Sequence, residues 1–216
     1  MVDKETALIV GAGKGLSASL ARLFSSEGMN IAIAARNIDK LSGLCEETGA
    51  KAYACDAVDA KQVETLFGNV SADIGEPDVV VYNASNRARG PVQDLDTEAV
   101  RTAIEISCFG GFLVAQAAAK QMIARNSGTI LLTGASASVK GYPNSSSFAM
   151  GKFGLRGLAQ SLARELQPQN IHVAHFVIDG GILQGPDDMR AAERGDDAML
   201  RPNEIAKDYL HVHRQH

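Results

Sequence analysis

The chain has 216 residues, 45% of them hydrophobic and 21% charged. That balance suits one globular domain over 1–216 with a sizeable core. The formal net charge is −4 and the pI about 5.7, with no block of like charges. Nucleic acid and an anionic membrane surface are therefore poor candidates for the main partner. The start, Met1-Val2-Asp3-Lys4-Glu5, lacks a signal-peptide shape. No apolar stretch is expected to reach the ~20 residues of a membrane span. Cys45, Cys55 and Cys108 are scattered without metal-ligand spacing and read as reduced thiols of a cytoplasmic protein.

The first expected strand, 6–10, runs into Gly11-Ala12-Gly13-Lys14-Gly15-Leu16-Ser17. A helix follows over 15–27, with Leu16, Leu20, Leu23 and Phe24 on one face. In this strand–turn–helix setting Gly11 permits the tight turn. Gly13 and Gly15 let the backbone approach a pyrophosphate, which the free N–H groups of the helix start then face. The plainer reading is an ordinary glycine-rich turn.

The second strand, 30–35, ends in Ala34-Ala35-Arg36. An acid at its end would hold the ribose 2′-hydroxyl of NAD, whereas Arg36 offers a planar fork for the 2′-phosphate of NADP. Lys14 supplies a second positive charge; the plainer reading makes both solvated surface charges. A helix over 38–48 leads to a strand over 51–55. Asp56 at its end is placed for the adenine edge, or serves only as a turn or helix-capping residue.

A helix over 59–73 and a strand over 78–82 follow, then two long segments, 96–125 and 144–167, rich in Ala, Leu and Met and flanking a strand over 128–133. The last strand is expected over 171–178. His172 and His175 point to opposite faces of it. Strand–helix alternation with unbroken apolar strands predicts an α/β fold: a doubly wound parallel sheet of six or seven strands, helices on both faces. The least regular region, 179–203, carries Gly180, Gly181, Gly185, Pro186, Gly195 and Pro202 and reads as a mobile substrate loop. A helix over 202–212 closes the pattern, and His211, His213 and His216 read as a solvated tail.

Taken together, these motifs resemble the short-chain dehydrogenase/reductase family over almost the whole chain. The family's Gly-x-x-x-Gly-x-Gly reads Gly11…Gly15-Leu16-Ser17, with Ser17 in place of the last glycine. Its Asn-Asn-Ala-Gly reads Tyr82-Asn83-Ala84-Ser85, and its Asn-x-x-Gly-x-Phe reads Ser107-Cys108-Phe109-Gly110-Gly111-Phe112. Its catalytic helix resembles Ser147-Phe148-Ala149-Met150-Gly151-Lys152, and its Pro-Gly after the last strand reads Asp179-Gly180. The resemblance implies a Rossmann fold, a nicotinamide cofactor, carbonyl or alcohol redox chemistry on a small molecule, and cofactor contacts at Gly11, Gly13, Lys14, Gly15, Leu16, Arg36, Asp56, Asn83, Ala84, Lys152 and Gly180. The long helical segments, with Ala115, Ala117, Ala118, Ala159 and Ala163, resemble those that pair family members into homodimers and homotetramers.

The departures bear on chemistry. The family's proton-transferring Tyr falls on Phe148, whose ring has no proton to give. Its Ser falls on Ala135, beside Ser136, and its Asn on Ser107. Lys152 alone keeps its type. Tyr142 is the one phenol nearby in sequence. The expected function is a divergent NADP(H)-dependent oxidoreductase acting on a small carbonyl, alcohol or activated alkene. The alternative is a catalytically weak NADP(H)-binding sensor or assembly protein.

Overall fold

The computed structural model describes residues 4–185, 188–194 and 198–215. Met1–Asp3, Pro186, Gly195 and His216, used in the sequence reading, lie outside the described residues. Six parallel strands form the sheet: β1 (Thr6–Val10), β2 (Asn30–Ala35), β3 (Lys51–Ala54), β4 (Val79–Tyr82), β5 (Gly128–Thr133) and β6 (Ile171–Phe176). Their order is β3-β2-β1-β4-β5-β6. In register, Leu8 sits opposite Ala32 on one side and Val80 on the other. The chain reverses its direction of travel between β1 and β4, and a doubly wound sheet opens its ligand crevice there, beyond the carboxyl ends of the strands.

Helices cover both faces. One carries α1 (Leu16–Ser26), α2 (Ser42–Thr48) and α8 (Pro202–His213); the other carries α3 (Ala60–Ile74), α4 (Thr97–Ile104), α5 (Gly110–Arg125) and α6 (Ser146–Leu166). Local chemistry sets their ends. Asp59 accepts from the N–H groups of Lys61 and Gln62 to start α3, and Asp96 accepts from Ala99 N (2.7 Å) to start α4. Gly49 and Asn126 stop α2 and α5 in left-handed conformations.

The segment expected as one helix over 96–125 is interrupted. A π turn, Glu105–Phe109, joins α4 to α5. The hydroxyl of buried Tyr82 donates to Ile106 O inside that turn, occupying a carbonyl that the wider winding frees. The whole span Thr97–Arg125 is long and apolar enough by length and composition to cross a membrane, which corrects the expectation that no stretch would be. Half of its apolar window is buried inside the protein, as for a core helix.

Within 179–203, the described residues include short regular elements. They form a parallel ribbon of β7 (Gly181–Ile182) and β8 (Met199–Leu200), with a short helix α7 (Met189–Arg194) between them. A Cβ on Gly180 would lie 2.9 Å from the Leu200 side chain, so a larger residue there would push Leu200 aside. The C-terminal histidines need a second correction. His213 is nearly buried, its Nδ1 3.0 Å from Thr129 Oγ1 and its Nε2 3.4 Å from Glu5 Oε1. Helix α8 packs across α1, and Tyr209 stacks on Phe176 with ring centroids 3.6 Å apart. That docking carries the last turn of α8 onto the start of the sheet, a placement the local sequence does not encode.

Candidate active site

The glycine loop leaves β1 at Gly11, where φ is +89° and a Cβ would lie 2.4 Å from Ala84 N. Only glycine fits so close an approach with that backbone. Gly13 borders open space, so the loop's outer side is free for a ligand. At Gly15, φ +87°, a Cβ would meet Leu183 O at 2.8 Å, so the chain after β7 lies directly over the loop. Ser17 explains its own presence in place of a glycine. Its hydroxyl donates to Gly11 O (3.1 Å) and accepts from Asn83 Nδ2 (2.7 Å), tying the loop to the end of β4. The first N–H groups of α1 precede its first helical bond, Ser19 N to Gly15 O, and stay available to an anion.

Beside the loop lies a cavity of about 630 Å³. Gly11, Ala12, Arg36, Lys40, Asp56 and Asn83 are among its walls. Lys40 sits four residues beyond Arg36 in a short 3-10 turn, Asp39–Leu41. Asp56 serves both readings of the sequence: it lines the cavity, and its Oδ1 also accepts from Val58 N (3.3 Å). Lys14 is exposed and does not line the cavity, while Leu16 is buried in the core behind the loop.

At the other end of the crevice, α6 carries Phe148 and Lys152 on one face, one turn apart. Lys152 is 2% exposed, and its ammonium donates to Thr133 O (2.7 Å). Burial, and then the nearby Arg87 charge, push its pKa down to about 8. Lys152 Nζ lies 5.8 Å from the centroid of Phe148, and Arg87 Cζ lies 4.0 Å from it. Beside them, burial followed by the charges of Lys152 and Arg156 pushes His175 down to about 4. Its ring fills the space that a side chain on Gly134 would need.

Ser107 lies fully buried in the π turn, where its hydroxyl donates to Asn86 O (3.0 Å) and accepts from Asn86 N (3.1 Å). Ala135 donates its N–H to Ser138 Oγ (3.1 Å), and Ser136 opens the turn that follows. Tyr142 is 42% exposed. The Ser136 hydroxyl, then the Lys140 ammonium, favour its phenolate and hold it below its ordinary value. Lys140 in turn pairs with Asp179 (3.4 Å).

The short chain dehydrogenase family pattern matches residues 5–190 of this sequence. The chain belongs to the short-chain dehydrogenase/reductase family. Among its relatives is trans-4-hydroxycyclohexanecarboxylate dehydrogenase of Sinomonas cyclohexanicum, 32% identical over 183 residues, covering 80% of this chain and 70% of that one. The cis-4-hydroxycyclohexanecarboxylate dehydrogenase of the same organism is 30% identical over 216 residues, covering 94% and 87%. A crystal structure of a short-chain dehydrogenase from Rhodopseudomonas palustris superposes with a TM-score of 0.84 at 30% identity, covering 98% of this chain and 92% of that one.

Members of this family use nicotinamide cofactors, and the residues present fit one. A strained glycine loop, free helix N–H groups and a walled cavity with two cations form one continuous surface at the crevice. Sequence reasoning placed Gly11, Arg36, Asp56, Asn83 and Ala84 on that cavity. It missed Lys40, whose only signal is its spacing after Arg36. It missed Arg87, and it set Ser147 at the start of the catalytic helix without its bond to Ala88, because nothing local announces a contact across some sixty residues.

Proposed function

We propose that this dehydrogenase/reductase is an NADP(H)-dependent oxidoreductase acting on a small carbonyl, alcohol or activated alkene. The observation that carries the reading is the pair of cations, Arg36 and Lys40, on the wall of the cavity beside the glycine loop, with no acid at the end of β2. Two positive groups at that point suit a 2′-phosphate. A bound nicotinamide would supply the hydride to a carbonyl or alkene, or take it from an alcohol. The chain's own groups do the rest. The loop Gly11–Ser17 would hold the phosphates, Asp56 the adenine edge, Asn83, Ala84 and Gly180 the nicotinamide end, and Lys152 the adjoining ribose.

Phe148 transfers no proton, so a proton at the substrate oxygen comes from elsewhere. Lys152, one turn from Phe148 with its pKa lowered to about 8, holds one at neutral pH. Tyr142, held low by Ser136 and Lys140, is the second donor. The relatives' names add ring alcohols to the substrates worth testing.

A titration with NADPH and NADH, followed by turnover assays on ring alcohols, polyols and 3-oxoacyl thioesters, tests the reading. NADPH-selective binding and measurable turnover are expected, with Phe148→Tyr raising the rate by about a hundredfold as a phenol returns to the helix. NADPH binding without turnover in either form would favour the second reading, a cofactor-binding sensor. Ser107 and Ser138 speak for that second reading, since their hydroxyls are already engaged by backbone. Failure to bind either nucleotide overturns both.

We also infer that the protein self-associates through α5, α6 and the π turn. Phe109, Phe112, Met150 and Phe153 are all exposed there, between 39% and 49%. Light scattering at micromolar protein is expected to give a dimer or tetramer mass, and a monomer mass removes the idea.

A further inference from the structure

Beyond β4 the chain runs Asn86-Arg87-Ala88-Arg89 into open crevice. A connecting segment there would ordinarily be mobile. Two buried serines from different elements prevent that. Ser107 of the π turn exchanges hydrogen bonds with both backbone groups of Asn86, at 3.0 and 3.1 Å. Ser147 of α6 does the same for Ala88, accepting from its N–H at 3.0 Å and donating to its carbonyl at 2.8 Å. Both serines are completely buried. The residue clamped between them is Arg87.

Its guanidinium lies over the Phe148 ring, Cζ 4.0 Å from the centroid, and Lys152 Nζ lies 5.8 Å from the same ring. A guanidinium laid on an aromatic face keeps its in-plane N–H fork free. Among the described residues, Arg87 has no carboxylate within ion-pair distance. Burial, then the charges of Arg89 and Arg190, lower its pKa, and its own charge in turn lowers that of Lys152. Arg190 is already occupied by Asp188 (2.6 Å). Holding like charges close, and ordering a long side chain among them, is costly without an anion to offset it.

We infer that Arg87 is a substrate-recognition residue, and that it receives a carboxylate group carried by the substrate. The fork geometry matches a carboxylate in two parallel hydrogen bonds, and the Phe148 ring gives the carbon skeleton beside it an apolar wall. Serine at 107 and 147 is explained by the same reading, as the pair that holds the backbone so that the fork is aimed before substrate arrives. The inference rests on this crevice being the redox site.

The test is calorimetric titration of the NADPH-loaded protein with cyclohexanecarboxylate and with the neutral cyclohexanecarboxamide, in wild type, Arg87→Ala and Arg87→Lys. The carboxylate is expected to bind at least about tenfold tighter than the carboxamide, a difference of about 1.4 kcal/mol. Arg87→Ala, titrated with each probe at saturating NADPH, should abolish that preference. Arg87→Lys should restore part of it, having the charge without the fork. Equal binding of the two probes, no carboxylate binding, or an unchanged preference in Arg87→Ala overturns the inference and leaves the oxidoreductase reading intact. If NADPH itself does not bind, that reading falls, and the same titration of the unloaded protein still decides whether Arg87 selects carboxylates.

Discussion

The double variant Arg36→Ala, Lys40→Ala is expected to bind NADPH about a hundredfold more weakly and NADH almost unchanged. Both side chains stand on the cavity wall, and both are exposed, so each charge-assisted contact with a phosphate is weaker than it would be in a dry interior. A factor of about ten for each is reasonable on that footing. The two effects should nearly add, because each cation meets the dianion from its own position. Screening supplies a further check: raising the salt should narrow the gap between NADPH and NADH in wild type and leave it flat in the double variant. Equal loss of both nucleotides would mean that the substitutions damage the loop rather than a 2′-phosphate contact. An unchanged preference for NADPH would remove Arg36 and Lys40 from cofactor selection.

The second large effect is a gain of stability with a loss of function. Lys152→Met is expected to stabilise the cofactor-free protein at pH 7 by about 2 kcal/mol. Burial lowers the folded-state pKa of Lys152 from 10.5 to about 8. Each unit is worth about 1.4 kcal/mol, so the charged form costs about 3 kcal/mol in the folded state at neutral pH. Methionine fills nearly the same volume without a charge. It also abandons the Thr133 carbonyl, which returns about 1 kcal/mol of that gain. For a chain of this length the melting temperature should rise by about 4–8 °C.

The pH dependence has a definite sign. Between about 8 and 10.5 the unfolded chain binds the proton and the folded chain does not, so wild-type stability rises with pH across that window. The advantage of the methionine variant should therefore be complete below pH 8 and vanish as pH approaches 10.5. Denaturant unfolding at pH 7 and pH 10 measures it. The same variant should lose oxidoreductase turnover, as the group proposed to meet the ribose and to hold a proton is gone. A melting temperature that falls, or a difference independent of pH, would show that Lys152 is not held as an unfavourable buried charge. A group kept at a cost to stability is one of the better physical signs of a working site.

How far the sequence led can be judged residue by residue. Apolar runs over 6–10, 30–35 and 128–133 mark β1, β2 and β5 at their observed bounds, because strands buried on both faces have no choice but to be apolar throughout. Gly11 could be assigned its tight turn, and the structure adds Ala84 as the neighbour that forbids a side chain. Arg36 could be set at the end of β2 from the strand pattern, and the structure puts it on the cavity wall. Phe148 and Lys152 could be set on one helix face by spacing alone.

What local pattern determined, then, is everything that depends on periodicity, on a glycine's allowed angles, or on a residue's place relative to its own strand. The tertiary structure alone decided which distant groups meet. Tyr82 reaches a carbonyl inside the π turn, in a helix far along the chain. His213 is buried because α8 crosses α1. Met199 and Leu200 return to pair with Gly181 and Ile182. Arg87 lies on Phe148 because Ser107 and Ser147, from two separate helical elements, grip the residues on either side of it. Such contacts carry no short-range signature, since a hydroxyl that will clamp a backbone in another part of the fold reads in sequence like any other serine.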